Sequence, residues 1–236
     1  MSVAFSGIRW SNVSKTFDGV RALDDVSLDV LPGTVLAVTG GNGSGKSTLF
    51  NVLTGIVRCD SGACYVGERE VSRSTAALIA GLGVARTFQQ VRLAGMMTLV
   101  ENVLAAEETR NSIGMLSTII ATKRVRRQQR ERALQYLSEV ELAGRGDDLA
   151  GQLSFGQQKL LSFASICSMK AGVILLDEPF AGLGQQMIDS VIRRIEEWRR
   201  AGSVVALIEH DVRRAREVAT RLISMDRGRI ASMESL

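Results

Sequence analysis

Gly40, Gly41, Asn42, Gly43, Ser44, Gly45, Lys46, Ser47 and Thr48 follow one another directly and carry the clearest chemical signal in the chain. The glycines let the backbone curl until its N–H groups converge. A helix beginning at the end of the run adds partial positive charge at the same point. That is a cradle for a phosphate. Within it Lys46 can reach the β- and γ-phosphates of a nucleotide, and the Ser47 hydroxyl can ligate Mg²⁺. A flexible Gly/Ser turn has a similar composition, but it would not sit between an apolar strand and a helix start.

Two carboxylates and a histidine complement this loop. Asp177 and Glu178 directly follow an apolar run, at the strand end where open α/β sheets bind ligands. Asp177 can organise Mg²⁺ opposite the phosphate loop, and Glu178 can orient or deprotonate an attacking water. His210 is the single histidine of the chain and lies between Glu209 and Asp211. A lone histidine is commonly structural, but a strand end in a nucleotide-binding chain makes it a γ-phosphate contact. Further along, Leu153, Ser154, Phe155, Gly156 and Gln157 open another helix. Ser154 can cap it, which leaves other N–H donors aimed outward as a second anion site.

The elements that must hold these residues are legible from periodicity. Val35–Val38 reads as a buried strand feeding the loop, and Leu49–Leu53 as the start of the helix behind it. Residues 8–13 and 26–30 alternate as half-buried strands do, and Ala63–Val66 reads as another. Val173–Leu176 and Val204–Ile208 are continuous apolar runs, the pattern of strands covered on both faces. Ile188, Val191, Ile192, Ile195 and Trp198 mark an amphipathic helix, and Leu222–Ile230 a hairpin. Thr98–Ala106 and Arg126–Val140 have helical periodicity, with no strand signal before Val173. The chain is therefore one α/β domain, 1–236. Residues 1–89 and 166–236 form the core, and 90–165 a helical insert. Phe17, beside Asp18-Gly19, either stacks on an adenine ring or fills the core.

Composition narrows the function classes. The chain has 236 residues and a net charge of +4, too mild to argue for nucleic acid. The basic cluster Lys123, Arg124, Arg126, Arg127, Arg130 and Arg132 reads as a solvated helix face. The longest mostly apolar stretch, 113–121, is far shorter than the roughly 20 residues of a membrane span. No signal-peptide pattern is visible, so any membrane role is expected to come through partners. Cys59, Cys64 and Cys167 lack metal-ligand spacing and read as ordinary thiols of a reducing compartment.

Taken in order, the motifs resemble those of ATP-binding-cassette (ABC) ATPase subunits, over essentially the whole chain. Gly40–Ser47 resembles the family's phosphate loop and Gln89 its Gln loop. Leu153–Gln157 resembles the LSGGQ signature, Leu176–Glu178 the Mg²⁺ and catalytic carboxylates, Ala181-Gly182-Leu183 the loop after them, and His210 the switch histidine. The resemblance implies a P-loop NTPase (RecA-like) core with an N-terminal antiparallel β part and an inserted α-helical subdomain. It also implies ATP and Mg²⁺ as ligands, with Ser47, Gln89 and Asp177 around the metal. A second ATPase subunit, the same or different, would close head to tail so that Ser154 and Gly156 meet ATP held by Lys46 of the other copy.

Ala85-Arg86-Thr87-Phe88-Gln89, Leu99-Val100-Glu101-Asn102, the Phe155 variant of the signature and Ile208–Asp211 are similar to branched-chain amino-acid importer ATPases and their amide and urea relatives. Lipid exporters are the next most similar group, and a soluble cassette acting on ribosomes or DNA is a more distant reading. An importer implies two transmembrane permease subunits and a periplasmic or extracellular solute-binding protein. It implies a place at the cytoplasmic face of the plasma membrane, with no nucleic acid. Residues 90–98, including Met96 and Met97, are then the expected docking groove, unless those methionines fill the insert's own core. Three positions depart from the pattern: Gly184 stands for the usual Asp or Asn, Gly41 for a common Pro, and Lys159 for a common Arg. The end at Leu236 implies no C-terminal regulatory domain.

Overall fold

The computed structural model describes residues 7–87, 93–110 and 123–236. Its first strands, β1 (Ile8–Phe17) and β2 (Val20–Val30), pair antiparallel and run longer than their alternation suggests. Register shifts along β1 explain the difference. Asn12 and Asp25 take left-handed conformations (φ 50 and 55), and Asn12 Nδ2 donates to Asp25 Oδ1 at 2.9 Å. Each bulge resets which face a side chain occupies, so the period-two signal is lost although the pairing continues.

The elements that follow are β3 (Val35–Gly40), α1 (Lys46–Leu53), β4 (Ser61–Val66), β5 (Arg69–Glu70), α2 (Ala76–Gly81) and β6 (Val84–Arg86). Among the described residues the helices α3 (Leu99–Arg110), α4 (Lys123–Ser138) and α5 (Phe155–Met169) follow. The chain ends with β7 (Val173–Asp177), α6 (Gln185–Arg200), β8 (Val204–Ile208), α7 (Val212–Val218), β9 (Arg221–Asp226) and β10 (Arg229–Ser235). The short helices α2 and α7 have no sequence expectation behind them. They are too brief for periodicity and are set by capping side chains, Thr75 and Asp211.

One sheet has the order β2-β1-β4-β5 and the other β10-β9-β3-β8-β7-β6. In the second, β7, β8, β3 and β9 are parallel and β10 closes a hairpin on β9. Every residue of β7 and β8 is buried, as their unbroken apolar runs require. Ile208 is the register partner of both Val38 and Asp177, so the C-terminal ends of β3, β7 and β8 arrive together. A single apolar cluster joins the sheets to α1 through Trp10, Leu49, Phe50, Leu175 and Ile223. Trp10 Nε1 donates to the Leu49 carbonyl at 3.1 Å inside that cluster, which ties β1 to α1.

The chain forms two compact units, Met1–Val84 with Gly172–Pro179 and Arg194–Leu236, and Ala85–Ala171 with Phe180–Arg193. Among the described residues no helix is long and apolar enough to cross a membrane. None of the three cysteines is in a disulfide; Cys64 and Cys167 are buried and Cys59 half-buried.

Candidate functional site

β3 delivers the chain to the glycine loop, and α1 begins inside it with Gly45 as its N-cap. The loop's shape depends on missing side chains. At Gly40 (φ +139) a Cβ would lie 2.2 Å from the Met225 carbonyl oxygen, and at Gly45 (φ +105) 2.4 Å from that of Ala22. Only glycine fits either place. Gly41 meets nothing within 4 Å, so its departure from the common proline has no packing reason. The Ser44 carbonyl accepts from Gly228 N–H at 3.0 Å, which pins the loop to the β9–β10 turn.

Lys46 is buried, and its Nζ donates to the carbonyls of Gly40 (2.9 Å) and Gly41 (2.7 Å). The ammonium is thus drawn along the loop wall. Burial pushes its pKa below the ordinary lysine value, while the charges of Glu178 and Asp177 pull it back up. The lysine and both carboxylates share one electrostatic environment. Ser47 is exposed and Thr48 half-buried, so the Ser47 hydroxyl is open to a ligand.

Asp177 ends β7 buried, and Glu178 follows it in a left-handed conformation (φ 50). Its N–H donates to the Ile208 carbonyl at 3.0 Å, fixing this unfavourable backbone against β8. The Glu178 carboxylate then lies 3.0 Å from His210 Nε2. The two carboxylates that flank His210 in sequence are engaged elsewhere or buried. Glu209 is buried, and Asp211 Oδ1 accepts from the N–H groups of Arg213 and Arg214, capping α7. The polar partner of the histidine is Glu178, distant in sequence.

In the second unit, Ser154 caps α5 through a reciprocal pair. Its Oγ accepts from Gln157 N–H, and Gln157 Oε1 accepts from Ser154 N–H at 3.1 Å. Leu153 is buried, while Phe155 is 56% exposed at the helix tip. A Cβ on Gly182 would touch the Phe155 ring at 3.5 Å. Lys159 Nζ stands 5.3 Å over the same ring and donates to the Ala181 carbonyl at 2.7 Å. Lys159 therefore binds the signature helix to the loop after the carboxylates, a role its sequence position did not announce. Gly184 meets nothing within 4 Å, so space does not demand a glycine there.

Other expected residues fall as follows. Phe17 lies at the end of β1, 42% exposed, with Lys15 Nζ 5.2 Å from its ring, which removes the core reading. Met96 is 89% exposed and Met97 half-buried. Gln89 and residues 90–92 lie outside the described residues. The Ser47 hydroxyl, exposed, and the Asp177 carboxylate, buried at the end of β7, are hard oxygens of the kind that suit Mg²⁺. Among the described residues no cluster of three or more His, Cys, Asp or Glu could cage a metal by itself. A site of one or two protein oxygens completed by phosphate and water is the kind Mg²⁺ favours.

Comparison with known proteins agrees with this geometry. The family model for the ABC transporter matches residues 23–181. The chain is 34% identical over 222 residues to the high-affinity branched-chain amino acid transport ATP-binding protein BraF of Pseudomonas aeruginosa, covering 92% of this chain and 87% of BraF. With its counterpart LivG of Escherichia coli K12 it shares 32% identity over 216 residues, 90% of this chain and 85% of LivG. The crystal structure of the ADP conformation of MJ1267, an ATP-binding cassette of an ABC transporter, superposes with a TM-score of 0.82 at 30% identity, covering 98% of this chain and 91% of that one. The dimeric cassette MJ0796 shares the fold at TM-score 0.86 and 24% identity, covering 97% and 98%. The chain thus belongs to the ABC transporter family, as an ATP-binding subunit that hydrolyses ATP.

Proposed function

We propose that this subunit drives import of branched-chain or other hydrophobic amino acids, seated peripherally on membrane permease subunits at the cytoplasmic face. The observation that carries the substrate class is the identity to branched-chain amino acid transport ATP-binding proteins over nine-tenths of the chain. A solute-binding protein outside the membrane would supply the amino acid.

In this reading the amides of Gly41–Thr48 and the Lys46 ammonium hold the phosphates, and the Phe17 face stacks on adenine. Ser47, Asp177 and Gln89 hold Mg²⁺, which neutralises phosphate charge when bound. Glu178 orients the attacking water and accepts its proton. His210, exposed and already in contact with Glu178, reaches the γ-phosphate. A second cassette offers Ser154 and Gly156, with Leu153, Phe155 and Gln157 shaping the helix end that carries them. Closing and opening of the pair transmits the cycle to the permease.

The test is uptake of labelled leucine, isoleucine and valine by cells whose native copy is replaced by wild type or Glu178→Gln at equal expression. ATP turnover should fall about 10²–10⁴-fold and uptake of all three should be lost. Lost turnover with unchanged uptake would remove the amino-acid reading; unchanged turnover would remove Glu178 as the base.

A further inference from the structure

A groove of about 840 Å³ opens in the first unit between the chain after α1 and the turn after β5. It shares no residue with the glycine loop, the strand-end carboxylates or His210. Arg58 and Arg73 both line it, and neither has an ion-pair or hydrogen-bond partner among the described residues. Exposed arginines alone would be unremarked surface charge. Ser72, only 8% exposed, lines the groove with them. Its Oγ accepts from Cys64 N–H at 2.9 Å, and no acceptor among the described residues takes its own proton. A buried hydroxyl whose proton has no acceptor among the described residues, in a groove also lined by two guanidiniums without partners there, leaves donors for an anionic ligand.

Two carboxylates also line the groove, and they differ. Asp60 is consumed, because Lys15 Nζ donates to it at 2.6 Å and Thr16 N–H at 2.7 Å. Glu70 is exposed and has no ion-pair partner among the described residues. With Asp60 neutralised by Lys15, the wall carries two positive charges against one negative.

We infer that this groove binds a phosphate group carried by a small metabolite, held by the Arg58 and Arg73 guanidiniums and the Ser72 hydroxyl. Planar guanidinium forks match phosphate oxygens, and two of them match the charge of a phosphate monoester. The volume exceeds what a bare phosphate fills, leaving room for a body whose hydroxyl or ammonium groups Glu70 accepts. The site would make the ATPase responsive to a ligand other than its nucleotide.

Cys59 lines the same groove and reports on it. The experiment follows alkylation of Cys59 by an uncharged maleimide, read by peptide mass, in inorganic phosphate and in chloride of equal ionic strength. At phosphate ten times its half-protecting concentration, labelling should slow about tenfold. In Arg58→Gln/Arg73→Gln, compared with its own rate in chloride, phosphate should have no effect. Both positions are exposed, so the variant keeps the fold. Equal rates in phosphate and chloride for the wild type would overturn the site. Protection that survives loss of both arginines would overturn it too, because the phosphate would then be acting from elsewhere, the glycine loop included.

Discussion

Glu178 combines a poor backbone with the proposed role of general base. A side chain in the left-handed region costs about 1–2 kcal/mol relative to right-handed geometry, and here φ is 50. The residue is held there by its N–H bond to Ile208, and the result is a carboxylate turned toward His210. Glycine would relieve the strain and remove the chemistry. Urea unfolding should find Glu178→Gly more stable than Glu178→Gln by about 1 kcal/mol, with ATP turnover down about 10²–10⁴-fold in both. Equal stability would mean that the surrounding structure, not the side chain, sets the cost. The identity of Glu178 was readable from its place after an apolar run. Its strain was not, because φ is imposed by the register of β7 on β8.

Among the elements, the start of α3 shows how one side chain can set a surface. Asn102 is buried, and its two Nδ2 hydrogens are shared among the carbonyls of Ala94 (3.2 Å), Met97 (3.3 Å) and Thr98 (2.9 Å). Its Oδ1 accepts from Ala94 N–H at 2.9 Å. Thr98 and Glu101 add a reciprocal cap, which holds the Glu101 carboxyl below its usual range. The loop that presents Met96 is thereby fixed to the helix. Asn102→Leu keeps the volume but strands these groups, and should cost about 3 kcal/mol at roughly 0.5–1.5 per bond. ADP affinity, measured by calorimetry, should stay within a few fold, because the glycine loop belongs to the other unit. A loss below about 1 kcal/mol would show that water replaces these bonds. The period of α3 was legible in sequence, as were the apolar runs of β3, β7 and β8. The bulged halves of β1 and β2 were not, because each bulge resets the alternation.

For the molecule as a whole, the nucleotide loop and the core of its unit should open together. Cys64 sits in the same apolar cluster as Leu49 and Phe50 of α1, and burial pushes its thiol up to about 12. It should react with maleimide only through an opening that also dissolves the loop. ADP at about 100 times its Kd should therefore slow Cys64 labelling about 100-fold. A rate indifferent to ADP would show that β4 opens while the loop stays formed. The sequence by itself determined the motifs: a contiguous glycine loop with its lysine, carboxylates ending an apolar run, a capped helix at Ser154, and the order in which they come. Those features are local, so residue type and spacing encode them directly. Tertiary structure alone decided that the ends of β3, β7 and β8 meet through Ile208, that His210 meets Glu178, and that Lys159 fastens α5 to the Ala181 loop. These contacts depend on strand order, register and the packing of distant segments, which no local periodicity carries.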